Sequence, residues 1–438
     1  MWFSMIRTHY SKQVTPEMDG EKVVLAGWAQ NIRIIGSIAF VKLRDREGLA
    51  QITVTKDNPN FEVVKDLTLE SVIAAEGTVK ASEKAQGGWE LIPEKITVLN
   101  KAEVPLPIDF SGKVQTGLSK RLDYRFLDLR NPKRLLIFKV LSTVEQAMKE
   151  YCYDNGFIEI NTPKLMAAAS ETGSELFEVK YFKRKAYLAQ SPQLYKQMAI
   201  ASGFDKVFEQ APVFRANPSH TSRHDTEFTS FDVEIGFIDS VEDVMKFEEK
   251  WICYVISKVK EKHYDEIKEL LGIEVEVPET PFPRITMKEA LKITGKLLEE
   301  VDEFGELDSE GEKKLGSIIK EEKEHDFVFL TDFPFSVRPF YHMKKEKNLT
   351  RSYDLIYKGV EITTGAQREH RYDVLVKQAE EKGVSIEPIK AYFEMFKYGV
   401  PPHGGFGLSP TRFVMQLLNL ENVREATFLP RDTERLTP

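Results

Sequence analysis

The chain has 438 residues, 42% hydrophobic and 30% charged, with a formal net charge of -8; it is long enough for two or three domains and too acidic for a generic nucleic-acid coat. No apolar run approaches the ~20 residues of a membrane span, and the start MWFSMIRTHYSK lacks the layout of a signal peptide, so no membrane association is expected. Cys152 and Cys253, the only cysteines, both fall in helical patterns, which argues against a disulfide framework or a zinc site and for a reducing cytoplasm.

From Lys22 to Asn100 run five strand-like stretches, VVLAGWAQNIR, IAFVKLRD, LAQITVTK, SVIAAEGTVKA and WELIPEKITVLN, parted by turn signals such as Gly36-Ser37 and Gly87-Gly88. Strands of this length and number predict a small closed barrel of the OB type within a first domain over residues 1–104. Residues 105–132 read as a hinge or linker. Between Leu106 and Leu135 seven Lys or Arg stand against three Asp, a basic strip suited to a partner gripped at a few phosphates, or simply a solvated linker.

A helix is expected after Asn131-Pro132, with Ile137, Val140, Leu141, Val144, Met148 and Cys152 on one stripe and a stop at Asn155-Gly156. The Gly-containing loop AASETGSELF, residues 168–177, precedes two short strand-like runs and then LAQSPQLYKQ. Val207 to Phe237 reads as two strands around a polar loop, in which Thr229, Phe231, Val233, Ile235 and Phe237 share one face and Phe228, Ser230, Asp232, Glu234 and Gly236 the other. Carboxylates on an inner face survive only with a partner or a ligand, and Arg215, Arg223 and His224 supply positive charge nearby. A helix over Ser240 to Val259 follows. The stretch from 264 to 325 reads as a small insertion, and its acidic part, 299–312, as a solvated surface segment. In TRSYDLIYKGVEITTGAQREHRYD a turn at Lys358-Gly359 is expected to place Asp354 and Glu361 on one face, a carboxylate pair of the kind Mg²⁺ takes beside a triphosphate. Finally, in PPHGGFGLSPTRFVMQLL a glycine-rich strand leads into a helix capped by Ser409, with Pro410 first and Arg412 one turn in, an anion site in its own right.

In this order these segments resemble the class II aminoacyl-tRNA synthetases of the aspartyl, asparaginyl and lysyl subgroup, and in particular those of the archaeal aspartyl type. The resemblance rests on Arg215 with Arg223-His224-x-x-Glu227-Phe228, on Gln190-Ser191-Pro192-Gln193, on Gly404 to Arg412, and on Arg33, Phe40, Arg44 to Gly48 and Gln51. It implies an α+β fold, in which the N-terminal OB-type β-barrel is followed over 133–438 by a catalytic domain built on an antiparallel β-sheet flanked by helices. It implies ATP-dependent attachment of L-aspartate to tRNA(Asp), with tRNA(Asn) open as a further substrate, through an aspartyl-adenylate. Mg²⁺ and a homodimer built at the segment after Asn131 belong to the same expectation.

By that resemblance Arg215 and Arg412 are the catalytic residues, gripping the α- and γ-phosphates of ATP. Arg223, His224, Phe228, Glu361 and Gly407 complete the ATP site, and Asp354 and Glu361 hold the metal. The aspartate site takes Glu171, in a mobile lid, with Ser191, Gln193, Lys196, Asp232, Thr364, Gly365 and Arg368; Asp232 and Glu171 hold the substrate ammonium, and Arg368 forks onto its side-chain carboxylate. In the barrel Phe40 stacks on the central anticodon base, with Arg33, Gln51 and Glu90 near base edges and Gln30 and Gln86 near the base that separates tRNA(Asp) from tRNA(Asn). Without the resemblance, Phe40 reads as a barrel core residue and Asp354 and Glu361 as surface strand residues.

The pattern is broken at Asn217 and Thr411, where the family carries Glu, which leaves the metal count open. Three rivals stand: an asparaginyl-tRNA synthetase, a tRNA-independent asparagine-forming ligase, which would lack the barrel, and a non-catalytic RNA-binding descendant, which would lose the phosphate arginines.

Overall fold

A computed structural model of the chain describes residues 6–112, 114–168, 176–218, 221–295 and 307–438. It divides into two compact units, Met1–Pro107 and Ile108–Pro438.

In the first unit, strands β1 (Lys22–Ile35), β2 (Ile38–Arg44), β3 (Leu49–Thr55), β4 (Val72–Ala81) and β5 (Trp89–Asn100) close a barrel in the order β1-β2-β3-β5-β4. Period-two alternation sets its wall: Ala39, Val41 and Leu43 are buried in the barrel core while Phe40 and Lys42 between them are not. Arg44 and Asp45 hold the shape. The Arg44 guanidinium forks onto Glu70 at 2.9 and 2.7 Å, both side chains buried. Asp45 accepts from the Ser11 amide at 2.6 Å and from the amides of Glu47 and Gly48 at 2.8 and 2.9 Å, which fixes the turn into β3. The Arg44 to Gly48 motif is therefore architectural.

The second unit is organised by an eight-stranded sheet among the described residues. Its strands are β6 (Ile158–Glu159), β7 (Lys206–Phe214), β8 (Glu227–Gly236), β9 (Arg284–Thr286), β10 (Phe327–Thr331), β11 (Ser352–Tyr357), β12 (Val360–Gln367) and β13 (His403–Leu408), in the order β9-β10-β11-β12-β13-β8-β7-β6. Pairing is antiparallel except at the two edges, β7 with β6 and β9 with β10. Helix α1 (Pro132–Asp154) starts as expected, with the Asn131 side chain capping the Lys133 amide, and buries Ile137, Val140, Val144, Met148 and Cys152. Further on, α2 spans Gln193–Ala201, α3 Val241–Leu271, α4 Ser309–Lys323 and α5 Pro410–Leu417. The core shared by α1, α3 and one face of the sheet takes Phe231 and Val233 from β8, Leu355 from β11 and Phe406 from β13, which leaves the alternate residues of those strands for the other face.

Four expectations are corrected. Residues 118–128 are not a solvated linker but two short helices folded into the second unit. Arg121, Arg125 and Arg134 are not held out for a partner's phosphates: all three ion-pair with buried Asp128, and Arg125 also donates to the carbonyls of Glu425 and Thr427. Phe237 leaves the core face because the backbone turns left-handed there (φ 56), which ends β8 at Gly236 and leaves the ring 72% exposed. The helix begun at Ser240 runs on to Leu271, and the stretch taken as an insertion contributes edge strand β9 to the main sheet.

Under the sheet, Glu248 of α3 is wholly buried and accepts from the Tyr353 hydroxyl at 2.5 Å. Burial pushes its carboxyl from 4.5 up to about 8. The stability contributed by this neutral acid is fully present below pH 4.5 and is lost as pH rises through about 8. Thermal unfolding of the wild type is thus expected to weaken between pH 6 and pH 9, and Glu248→Gln, which keeps the shape and cannot ionise, to flatten that dependence; equal slopes in the two proteins would refute the assignment.

Candidate active site

The face of the sheet away from α1 and α3 carries a cavity of about 230 Å³. Strands β8, β12 and β13, helix α2 and the loop 338–342 supply its walls. Of the residues singled out from the sequence, Ser191, Gln193, Lys196, Arg215, Phe228, Asp232, Glu361, Thr364, Arg368, Gly407 and Arg412 all line it. A larger cleft of about 460 Å³ between Leu118 and the C-terminal segment is lined by none of them.

One end is a network of buried charge. Lys196, 2% exposed, places Nζ 3.1 Å from Asp232 Oδ1, 3.3 Å from Glu234 Oε2 and 3.1 Å from the Phe406 carbonyl. Arg368 donates through Nε and Nη2 to Glu234 at 3.0 and 3.3 Å, and to the Gly405 carbonyl at 2.9 Å. Burial would raise the Glu234 carboxyl, but Arg368 and Lys196 together hold it below the usual carboxylate range. The fork of Arg368 thus lies on Glu234, and the residue also lines the cavity. A fully buried carboxylate left without this partner would cost several kcal/mol.

Glycine at 405 is what lets Glu234 sit there, because a Cβ would lie 2.0 Å from the Val233 carbonyl and 2.4 Å from Glu234 Oε2. Gly365, expected in the amino-acid site, is glycine for another reason: it pairs with Tyr353 on the core side, and a Cβ would meet that ring at 2.3 Å. It does not line the cavity, whereas its neighbour Thr364 does.

The other end gathers guanidinium groups. Arg412 is placed by its cap, the Ser409 hydroxyl accepting its amide at 3.3 Å, and its side chain donates to the Glu361 carbonyl at 3.0 Å and the Arg223 carbonyl at 3.3 Å. Burial depresses the Arg412 guanidinium, and the charges of Arg223 and Arg215 depress it further against the opposing pull of Glu361. The same surroundings, burial first and then Arg412 and Arg223, push His224 down to about 4, so its ring is neutral at physiological pH. The Arg215 guanidinium lies 5.5 Å from the Phe228 ring centroid. Mutual depression of like charges marks a place that gains from an anion.

Arg223 and His224 lie beside the cavity rather than on its wall, and Arg223 is taken up by Glu312 and Ser309 of α4. This corrects the reading of residues 299–312 as wholly solvated: Glu312 is largely buried, and burial together with the neighbouring Glu361 raises its carboxyl. Glu171 and the rest of its loop, 169–175, lie outside the described residues, as does 299–306.

The two carboxylates expected to hold a metal fall on one face of the sheet, but only one of them lines the cavity. A bulge in β12 sets Asp354 opposite Thr364 and Glu361 opposite Ile356. Asp354 is bound by Arg338 at 2.6 Å and does not line the cavity. No group of three or more His, Cys, Asp or Glu that could hold a metal occurs among the described residues. Of the pair, Glu361 alone faces the cavity, which suits a Mg²⁺ that brings its other oxygens with a triphosphate.

The loop Arg338-Pro339-Phe340-Tyr341-His342 was missed by the motifs, although its density of basic and aromatic residues between strands is a legible signal. His342 Nε2 lies 3.1 Å from Arg368 Nη1, which can only donate, so the ring proton sits on Nδ1. In the first unit the four expected side chains share one outer patch: Phe40 pairs across strands with Arg33 and with Thr53, and Glu90 accepts from Thr53 at 2.5 Å and from Gln51 at 3.1 Å.

Comparison with known proteins agrees with this geometry. Residues 117–433 match the family described as tRNA synthetases class II (D, K and N), and residues 23–99 match the OB-fold nucleic acid binding domain. The chain belongs to the class II tRNA synthetases. It is 47% identical to the aspartate–tRNA(Asp) ligase of Pyrococcus furiosus, over 99% of this chain and 100% of that protein. It is 49% identical, over the same shares, to the aspartate–tRNA(Asp/Asn) ligase of Methanopyrus kandleri. Among solved structures it resembles asparaginyl-tRNA synthetase from Pyrococcus horikoshii complexed with asparaginyl-adenylate, with a TM-score of 0.91 at 35% identity, covering 99% of this chain and 100% of that one.

Gly405→Ala tests the charge network directly. It is expected to destabilise the fold by at least the ~3 kcal/mol at the upper end of overpacking costs, measured by denaturant unfolding, because the methyl meets backbone and displaces Glu234 from Arg368. A variant as stable as wild type would show that the network is not tightly packed.

Proposed function

We propose that the protein attaches L-aspartate to tRNA(Asp) at the expense of ATP, through an aspartyl-adenylate. The observation that carries this reading is a single cavity with a charge-balanced end at Lys196, Asp232, Glu234 and Arg368 and an arginine-rich end at Arg215 and Arg412. The first suits a zwitterionic amino acid; the second suits a triphosphate. Full-length similarity to aspartate ligases, at 47 to 49%, exceeds that to the asparaginyl structure, at 35%, and supports aspartate over asparagine. The Methanopyrus relative, named for both tRNAs, supports tRNA(Asn) as a second acceptor.

In this mechanism the aspartate α-carboxylate attacks the α-phosphorus of ATP in line. Arg215 stabilises charge on the transferring phosphoryl group and Arg412 the leaving pyrophosphate, while Phe228 stacks on adenine. A hydroxyl of the terminal ribose of the tRNA then attacks the adenylate carbonyl and AMP leaves. Mg²⁺, with Glu361 as its protein oxygen, would add charge neutralisation on the phosphates. No protein nucleophile is needed. Further parts of the reading are a homodimer built on α1 and the segment after it, a cytoplasmic location, and anticodon binding by the Phe40 patch. Reduced Cys152 and Cys253 fit that location, and no helix among the described residues is long and apolar enough to cross a membrane.

Pyrophosphate exchange measured separately with aspartate and with asparagine tests the substrate; exchange with asparagine alone would overturn it. Arg412→Ala is expected to lower the exchange rate ~10²–10³-fold, the usual cost of losing one preorganised charge donor. Phe40→Ala should leave aspartate-dependent exchange intact and raise the KM for the tRNA transcript ~10-fold or more, since stacking on an aromatic is worth ~1–3 kcal/mol per base. If Phe40→Ala impairs exchange and charging equally, the barrel patch is structural rather than a tRNA contact.

A further inference from the structure

Gln193 lines the amino-acid end of the cavity, and its amide could present either a carbonyl or an NH₂ to a ligand. A chain of buried hydrogen bonds decides which. His403 Nδ1 lies 2.8 Å from the Pro401 carbonyl, which can only accept, so Nδ1 carries a proton. Burial of the ring pushes His403 down to about 4, with Glu234 opposing and Arg368 and His370 reinforcing, so at neutral pH there is no second proton and Nε2 is an acceptor. Gln197 must then aim its NH₂ at that nitrogen, 2.8 Å away. Its carbonyl oxygen points the other way and receives the Tyr392 hydroxyl at 2.9 Å and the Gln193 Nε2 at 3.0 Å. With the Gln193 NH₂ on Gln197, the end of its amide turned away from the relay is the carbonyl oxygen.

We propose that Pro401, His403, Gln197 and Tyr392 form a positioning relay that fixes Gln193 with its carbonyl oxygen toward the amino-acid pocket, making Gln193 an acceptor for the substrate ammonium. The inference rests on the reading of the cavity as an amino-acid site and deepens it. One helical turn from Gln193, Lys196 holds the Asp232 carboxylate. An amide carbonyl and a carboxylate on the same wall attract a cationic donor and repel either carboxylate of aspartate. The opposite sense, with the proton on His403 Nε2, would reverse both amides and turn an NH₂ into the pocket, but the Pro401 carbonyl forbids it. Gln193 touches the substrate; Gln197, His403 and Tyr392 act through it.

The test compares aspartate with succinate, which keeps both carboxylates and lacks the ammonium, as a competitive inhibitor of pyrophosphate exchange in the full-length enzyme. Gln197→Met is expected to raise the KM for aspartate about tenfold, the loss of one hydrogen bond to a charged group, with the succinate Ki and the KM for ATP unchanged. Gln197→Glu, whose carboxylate still accepts from Gln193 and Tyr392 and draws a second proton onto His403 Nε2, is expected to keep the aspartate KM near wild type, and serves if the Met variant does not fold. Equal weakening of aspartate and succinate, no change for aspartate, or a Glu variant that loses aspartate as the Met variant should, overturns the relay. Gln193→Met separates the two levels. If it leaves the aspartate KM unchanged, the placement of the amino acid is wrong; if it raises that KM while Gln197→Met does not, only the relay is wrong.

Discussion

The site depends on the desolvation of Glu234. A carboxylate with no exposed surface is tolerable only where cations reach it, and here Lys196 from helix α2 and Arg368 from the end of β12 meet on it across the strand. That requirement reaches back into the sequence. Neighbouring β13 must carry glycine at 405 so that nothing fills the space of the carboxylate, and α2 must lie close enough to β8 for Lys196 to reach the Val233 and Phe406 carbonyls as well. Once these elements are pinned, the positions of Ser191, Gln193, Asp232 and Thr364 follow from helical and strand periodicity.

Periodicity is also why much of this was legible. Alternation in β8 separated Phe231 and Val233, which are core, from Asp232, which lines the cavity, and Glu234, which lies buried on the same face of the strand. The stripe of α1, the Ser409 cap and the barrel alternation around Phe40 are local patterns of the same sort, and the fold places them as read. Outward-facing Phe40 is not the barrel core residue that a plain reading allowed, because Ala39 and Val41 on either side occupy the interior.

What escaped the sequence is set by pairings between distant segments. Register places Asp354 and Glu361 on one face, as read, but the arrival of Arg338 on Asp354 is not written in that local pattern. The basic residues around position 125 looked like a surface strip because charge counts carry no information about burial, and Asp128 with the carbonyls near the C-terminus absorbs three of them. Glu312 sat in an acidic run that gave no hint of its partner Arg223, which comes from a loop 89 residues earlier. Arg368 and Glu234 are each visible as charged residues on strands; that they are bonded to each other is not.

The two ends of the cavity then differ in a way that follows from charge balance. At the end built on Lys196 and Arg368 these two cations meet two carboxylates, Asp232 and Glu234, so the charge there is balanced within the chain itself. At the other end Arg215, Arg223 and Arg412 face Glu361 and Glu312, and the second of these is pushed toward its neutral form by burial and by the first. The positive excess is real, and it is concentrated where Arg412 depends on burial and on two other guanidinium groups. A polyanion arriving there relieves that repulsion, and around a buried guanidinium such as Arg412 each relieved charge interacts more strongly than it would in bulk solvent. Burial first, and then the charges of Arg412 and Arg223, keep the His224 ring neutral beside this end of the cavity. Charge imbalance at one end and charge balance at the other orient a bimolecular reaction along the cavity before either reactant is bound.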